Sequence, residues 1–178
     1  MAALFRYKST FPLVLVASLL AGCAGTEKVP LNVPFSAAGN TRAALDALQL
    51  QGQPYVYGGT APEQGFDCSG LVVYVYNKQG IVLPRTTQSL VQQLPGVRAE
   101  QRQPGDLLFF NTEKPYSHVG IYVGNDDFVH APSARTGRVM VSSLRNPYWR
   151  ERFMAVRRPQ FLQGLSLNVD GENSCRLN

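Results

Sequence analysis

The chain has 178 residues, which is the length of one domain with some residues to spare for a targeting segment. Hydrophobic residues make up 44% of it and charged residues 16%, which excludes a disordered or fibrous protein. The formal net charge of +5 is mild, and its arginines are typical of a solvated surface, so the charge predicts no nucleic-acid partner.

The N-terminus has the pattern of a secretory signal peptide. Two basic residues, Arg6 and Lys8, precede an apolar stretch over residues 11–20. That stretch is shorter than the roughly 20 apolar residues that a membrane-spanning helix needs. Small residues follow it, so we expect residues 1–22 to be removed as a signal peptide.

Residues 20–23, Leu-Ala-Gly-Cys, resemble the bacterial lipobox, in which the cysteine is acylated and becomes the new N-terminus. We therefore expect Cys23 to carry a lipid that anchors the protein to a membrane. Ala24 follows Cys23 as in lipoproteins sent to the outer membrane, which favours the periplasmic side of that membrane. Residues 23–39 are predicted to be the lipidated N-terminus and a tether. The alternative is a soluble secreted protein in which Cys23 is incidental.

Three segments have helical periodicity. The first runs over Thr41–Leu50, with Asn40 or Thr41 as its N-cap. The second runs over Cys68–Lys78, with Asp67 as its cap, although its valines leave a strand as the alternative. The third runs over Thr86–Leu94 and is ended by a Pro-Gly pair.

The remaining elements are predicted to be extended. A short extended piece covers residues 53–59, and downstream β-rich runs are separated by turn residues. These runs predict a meander of antiparallel strands and, with the helices before them, an α+β domain over residues 40–160 followed by an irregular tail, 161–178. The runs are residues 106–110, 118–123, 127–130, 138–141 and a further one at 152–156.

Cys68 stands at the start of the second helix, and the chain has only two histidines, His118 and His130. A thiol attacks as the thiolate, and a helix N-terminus with an imidazole nearby favours that form, so we expect the pKa of Cys68 to be lowered. His118 opens one strand and His130 ends the next. A hairpin can therefore place the second ring beside the first and hold it in one tautomer. We expect Cys68 to be free, because a disulfide with Cys175 would abolish the nucleophile.

Six short motifs occur in the same order as in the NlpC-type cysteine peptidases, which are papain-like hydrolases that cut bacterial cell-wall peptides. The chain resembles this family over about residues 45–159, and within it the murein endopeptidase lipoproteins of the Spr/MepS kind. The motifs are Tyr55–Gly59, Asp67–Leu71, Leu83–Thr86, Pro104–Leu107, His118–Tyr122 and Phe128–Ala131.

The resemblance implies a papain-like fold, with N-terminal helices packed on a central antiparallel sheet, and a murein endopeptidase that needs no cofactor or metal. It implies that Cys68 is the nucleophile, His118 the general base and then acid, and His130 the orienting third residue. Tyr55 matches a tyrosine whose hydroxyl stabilises the oxyanion.

Substrate contacts are expected from two further residues, Ser69 and Arg85. Stem peptides carry carboxylates, which an arginine can clamp through two parallel hydrogen bonds. The expected partners are peptidoglycan stem peptides and, through the lipid, a membrane, and the protein is expected to be a monomer. The scissile bond is either the D-glutamyl-diaminopimelate bond of the stem or the D-alanyl-diaminopimelate cross-link.

Two other functions stay open on the sequence. Cys68, His118 and His130 are one thiolate and two imidazoles, which can bind Zn²⁺ with a fourth position free for catalysis as an amidase. The chain has no Cys-x-x-Cys or His-Glu-x-x-His pair, which makes zinc the weaker interpretation. A non-catalytic envelope-binding lipoprotein is the other alternative, although a pure binder has no need of all three residues.

Overall fold

The order of elements along residues 35–160, the part of the chain that the computed structural model describes, is mainly helices first and strands second. This confirms the α+β prediction. None of the helices in this range is long and apolar enough to cross a membrane. The helices are α1 (Phe35–Leu48), α2 (Cys68–Asn77), α3 (Thr87–Gln93) and α4 (Pro147–Arg152). The strands are β1 (Thr60–Ala61), β2 (Gly65–Phe66), β3 (Gly96–Val97), β4 (Leu107–Phe110), β5 (His118–Gly124), β6 (Asp127–His130), β7 (Met140–Ser143) and β8 (Phe153–Arg157).

Six of the strands form one sheet in the order β3-β8-β4-β5-β6-β7, with every neighbouring pair antiparallel. Strands β4 to β7 are neighbours in chain order, which confirms the predicted meander. The chain then returns so that β8 pairs with the other side of β4. Strands β5 and β6 are consecutive in the chain and pair with each other, so one hairpin carries both histidines.

One face of the sheet packs against α2. The side chains of this interface are fully buried. Because successive residues of a strand point to opposite faces of a sheet, every second residue of each strand points to the helix. The helix, rather than the alternative strand, is confirmed for residues 68–77. The α2 residues in the interface are Leu71, Val72, Val75 and Tyr76, and the sheet residues include Phe109, Val119, Ile121 and Val129.

Asp67 caps α2, as predicted. Its backbone is extended, and its carboxylate Oδ1 accepts a hydrogen bond from the Gly70 N–H at 2.7 Å, which satisfies a donor that the first helical turn leaves free. A Cβ atom on Gly70 would lie 2.0 Å from the carbonyl oxygen of Gly59. Only glycine therefore lets the loop before β1 pack directly on the start of the helix.

The opposite face of the sheet carries a second buried cluster, which is rich in aromatic rings. Short helix α4 covers this face with Trp149, and Phe153 at the start of β8 packs beside it. The buried members of the cluster are Leu108, Phe110, Tyr122, Phe128 and Val156.

The structure differs from the predictions at the first helix. Helix α1 begins at Phe35, six residues before Thr41 and inside the segment 23–39 that was predicted to be a tether. Asn40 is therefore not an N-cap but a buried residue in the middle of the helix. Residues 35–39 contain no proline, so each of them has the backbone N–H and the conformational range that a helix needs.

The shortest strands and the shortest helix of the structure were not predicted from the sequence. Strands β1, β2 and β3 have two residues each, which is too few for any alternation of polar and apolar residues to be visible. Helix α4 has six residues, and its start does carry a signal, since Asn146 caps it and Pro147 occupies the first turn. The third predicted helix is confirmed as α3, with Thr86 as its cap.

Candidate active site

A cavity of about 600 Å³ opens where the start of α2 meets the start of β5. Cys68 lines it from the first turn of the helix and His118 from the first residue of the strand. Tyr55, Ser69 and Arg85 line it as well. Five residues that the sequence singled out, from four separate segments, therefore share one cavity.

Cys68 is a free thiol. Burial, and after it the negative charge of Asp67, raise the pKa of this thiol to about 11, although backbone hydrogen bonds from Val119, Ser69 and Cys68 itself act in the opposite direction. The expectation of a lowered pKa is therefore wrong. Burial removes the water that would solvate a thiolate, and this outweighs the helix N-terminus. Cys68 keeps its proton at neutral pH.

The two histidines form a buried hydrogen-bonded pair, which confirms the prediction from the hairpin. His118 Nε2 lies 2.8 Å from His130 Nδ1, and the side chains are 3% and 0% exposed. Burial lowers the pKa of His118 to about 4, and burial together with the neighbouring His118 lowers the pKa of His130 well below 6.5. Both rings are neutral at neutral pH, so His118 is able to accept a proton.

Trp149, the only tryptophan of the chain, covers the histidine pair. Its ring centroid lies 4.7 Å from that of His130 and 5.6 Å from that of His118. Because the indole ring displaces water from this side of the pair, it contributes to the burial that keeps the imidazoles uncharged. Trp149 was not predicted from the sequence, although the Asn-Pro start of α4 is a sequence signal for the short helix that carries it.

Ser142 is the second residue near the histidines that was not predicted from the sequence. Its Oγ lies 2.9 Å from His130 Nε2, on the side of the ring away from His118. The residue lies on β7, and a serine in a short strand carries no sequence signal for such a contact. The hydrogen bonds therefore link three side chains in a row: His118, His130 and Ser142.

Asp67 and Arg85 form an ion pair at the edge of the cavity. Arg85 Nη1 and Nη2 donate to the two carboxylate oxygens of Asp67 at 3.0 and 2.7 Å, and Nη1 also donates to Ser69 Oγ at 2.7 Å. The Gly58 N–H donates to the same carboxylate at 2.9 Å. The network fixes the loop before α2 against the helix start. Substrate binding by Ser69 and Arg85 stays a prediction, and the guanidinium nitrogens that would clamp a carboxylate already bind Asp67.

Tyr55 is half-buried in the cavity wall, where it is able to donate a hydrogen bond. Burial, followed by the charges of Cys68 and Asp67, raises the pKa of its phenol, so the hydroxyl keeps its proton. Its role at an oxyanion stays a prediction. Tyr57 lies on the rim of the same cavity with 89% of its surface exposed, which leaves its ring open to a bound molecule.

The geometry does not fit the zinc alternative. A shared metal ion needs a lone pair from each imidazole, with each nitrogen about 2.0 Å from the metal. One nitrogen of each ring is instead used in the hydrogen bond between His118 and His130. Within residues 35–160 no group of three or more His, Cys, Asp or Glu side chains is arranged to hold a metal ion.

Two cysteines of the sequence analysis lie outside the described residues. Cys23, the predicted lipidation site, precedes them, and Cys175 follows them.

Comparison with known proteins places these observations in a family. The sequence model that describes the NlpC/P60 family matches residues 52–158 of this chain. This range contains Cys68, His118, His130 and Tyr55. The chain is 40% identical over 154 residues to the probable endopeptidase NlpC of Escherichia coli, and the match covers 83% of this chain and 98% of that protein. It is 38% identical over 125 residues to the murein DD-endopeptidase MepH of the same organism, covering 66% of this chain. The match covers 45% of MepH, so this chain spans less than half of the length of that protein.

A solved structure has the same fold. It is an NLP/P60 family protein described as similar to lipoprotein, from Staphylococcus aureus, with a TM-score of 0.61 and 35% sequence identity. The match covers 68% of this chain and 42% of that one.

The protonation of the histidine pair is measurable through the fluorescence of Trp149. An imidazolium beside an indole ring quenches its emission, and burial opposes this charge. We expect the emission to stay constant from neutral pH down to about pH 5 and then to fall with a midpoint near pH 4, the pKa of His118. Circular dichroism on the same samples is the control for acid unfolding. Quenching of the folded protein with a midpoint near 6.5, the ordinary pKa of histidine, would contradict the burial argument.

Proposed function

The chain belongs to the NlpC/P60 family, and from this premise we propose that it hydrolyses amide bonds in the peptides of bacterial peptidoglycan. The observation that carries the proposal is the shared cavity: a free thiol and a neutral imidazole line it from two elements that lie fifty residues apart (118 − 68) in the chain. The name of MepH, a murein DD-endopeptidase, supports the choice of substrate.

In the proposed reaction, Cys68 begins as a neutral thiol. Because His130 occupies Nε2 of His118, only Nδ1 of that ring is left to serve the cavity. Nδ1 takes the thiol proton as the sulfur attacks the substrate carbonyl, so the thiolate exists only while the new bond forms. The neutral state of both groups favours this coupled step over a thiolate and an imidazolium that stand ready before substrate binds.

The tetrahedral intermediate carries a negative charge on the former carbonyl oxygen. The backbone N–H groups at the start of α2 and the Tyr55 hydroxyl are the donors in the cavity wall that suit it. In comparable sites, removing one such donor slows the reaction about a hundredfold to a thousandfold.

The reaction ends in three proton transfers through the same ring. The imidazolium of His118 gives its proton to the leaving amine, and the acyl group stays on Cys68 as a thioester. Neutral His118 then removes a proton from a water molecule, whose oxygen attacks the thioester and releases the carboxylic acid. The thiol regains its proton from His118, so the enzyme returns to its initial state.

Digestion of purified murein sacculi tests this function. An unlipidated protein carrying Cys23→Ala should release muropeptide fragments, whose masses identify either the D-glutamyl-diaminopimelate or the D-alanyl-diaminopimelate bond. Adding Cys68→Ala should lower the rate at least about a thousandfold, as loss of a catalytic nucleophile does. Cys175→Ala is the matched control and should leave the rate unchanged.

Two results would contradict the proposal. Equal cleavage by the Cys68→Ala protein would exclude Cys68 as the nucleophile. Binding of the protein to sacculi without release of any fragment would favour the non-catalytic envelope lipoprotein.

We also propose that residues 1–22 are a signal peptide, and that a lipid on Cys23 holds a monomeric protein at the outer membrane, facing the periplasm. The sequence at residues 20–23 supports this. Helix α1 begins at Phe35, so eleven residues, 24–34, link the lipid to the first helix. A chain of that length spans at most about 40 Å when fully extended. The catalytic domain would thus work on the peptidoglycan closest to the membrane.

Growth of a bacterial host with labelled palmitate tests the anchor. The wild-type protein should carry the label and sediment with outer membranes, because acyl chains hold it there. Cys23→Ser should remove both the label and the sedimentation, whereas Cys175→Ser should change neither. An unlabelled wild-type protein in the soluble periplasmic fraction would show instead that Cys23 is incidental.

A further inference from the structure

Ser142 lies behind the histidine pair as seen from the cavity. The β6–β7 ladder places it opposite Phe128, and His130 follows Phe128 by two positions, so Ser142 and His130 point to the same face of the sheet. Their polar atoms meet there, with Ser142 Oγ 2.9 Å from His130 Nε2. His118, His130 and Ser142 therefore form one hydrogen-bonded chain that starts at the cavity.

Protons can be arranged along this chain in two ways, since each neutral imidazole carries one proton and a hydroxyl can donate or accept. In the first arrangement, His118 Nε2–H donates to His130 Nδ1, and His130 Nε2–H donates to Ser142 Oγ. In the second, every bond is reversed: Ser142 donates to His130 Nε2, and His130 Nδ1–H donates to His118 Nε2.

Only the first arrangement serves a general base. It leaves Nδ1 of His118 without a proton and therefore able to take one from the thiol. In the second arrangement Nδ1 of His118 already carries a proton. After proton uptake, moreover, both nitrogens of His118 carry protons, so Nε2 must donate to a bare Nδ1 of His130. The proton of His130 must then be on Nε2, where Ser142 is its acceptor.

We propose that Ser142 is a positioning residue: its Oγ accepts the Nε2–H of His130 and so keeps His118 in the tautomer that accepts the thiol proton. The inference rests on the peptidase function proposed above. Ser142 is not part of the cavity wall and acts through His130 alone.

The surroundings of His130 explain why one hydroxyl matters. The ring is fully buried, and apolar side chains lie beside it on this face. Phe128 is at 4.8 Å and Trp149 at 4.7 Å between centroids, and Met140 lies opposite His130 in the β6–β7 ladder. Without Ser142, an Nε2–H would be a buried donor with no acceptor, which is costly. Moving the proton of His130 to Nδ1 would restore a bonded donor, but it would also reverse the tautomer of His118.

Nitrogen NMR of the histidine side chains measures this directly, because the chain has two histidines and hence only four ring nitrogens to assign. In the wild type we expect both rings to carry their proton on Nε2. Ser142→Ala should move the proton of His130 towards Nδ1 and that of His118 with it. Ser142→Thr keeps the hydroxyl and should restore the wild-type pattern. Ser143→Ala is the matched control, since Ser143 Oγ bonds to Arg145 and to neither histidine.

Kinetics on soluble stem peptides provide a second measurement. Ser142→Ala should lower kcat about tenfold, the factor that one ordinary hydrogen bond allows, with KM unchanged because the cavity wall is intact. Ser142→Thr should recover most of kcat, and Ser143→Ala should keep it.

The inference and the proposed function fail in different ways. Lack of peptide cleavage by the wild type would remove the proposed function, while the NMR pattern would still test the role of Ser142. A wild-type His130 with its proton on Nδ1 would overturn the inference whatever the variants do. So would a Ser142→Ala protein with unchanged tautomers, or a loss of kcat that Ser143→Ala matches.

Discussion

The hydrogen bond between His118 and His130 is made where water does not reach, and the rest of the site depends on that burial. The two rings sit on adjacent strands of a six-stranded sheet under the indole ring of Trp149. Burial favours the uncharged form of an imidazole, so the pair is neutral and His118 is able to accept a proton. The same principle keeps the proton on the Cys68 thiol. A neutral thiol and a neutral imidazole thus line the same cavity.

Two charged groups of the site, Asp67 and Arg85, lie at the edge of the cavity, where their ion pair fixes the loop before α2. Asp67 caps α2 and binds Arg85, and this ion pair is partly exposed to solvent. The carboxylate next to the sulfur still opposes a thiolate, since it is the second cause of the raised pKa of Cys68. The helix N-terminus therefore favours a thiolate at Cys68, while Asp67 in the same turn opposes it. The proposed transfer of the thiol proton to His118 at the moment of attack is compatible with both.

The sequence was sufficient for those parts of the structure that depend on local patterns. The Asp67 cap, the apolar face of α2 and the β-rich runs predicted the helix start and the meander. Together they also predicted the cavity that Cys68 and His118 share and the pairing of His118 with His130. Properties that depend on packing between elements could not be predicted from the sequence. The raised pKa of Cys68 follows from burial under other elements, and a helix-dipole argument from the sequence predicted the opposite direction. Ser142 and Trp149 reach the histidines from β7 and α4, and the contacts are made only across the folded sheet.

The protonation state of Cys68 is the central claim, and the rate at which iodoacetamide alkylates it tests that claim most directly. In a chain carrying Cys23→Ala and Cys175→Ala, Cys68 is the only thiol. Because only the thiolate reacts, the structure predicts a low rate at neutral pH that rises about tenfold per pH unit towards the pKa of about 11. A rate that is already high at about pH 5 and flat to about pH 8 would instead show a thiolate paired with an imidazolium before substrate binds, and would contradict the account.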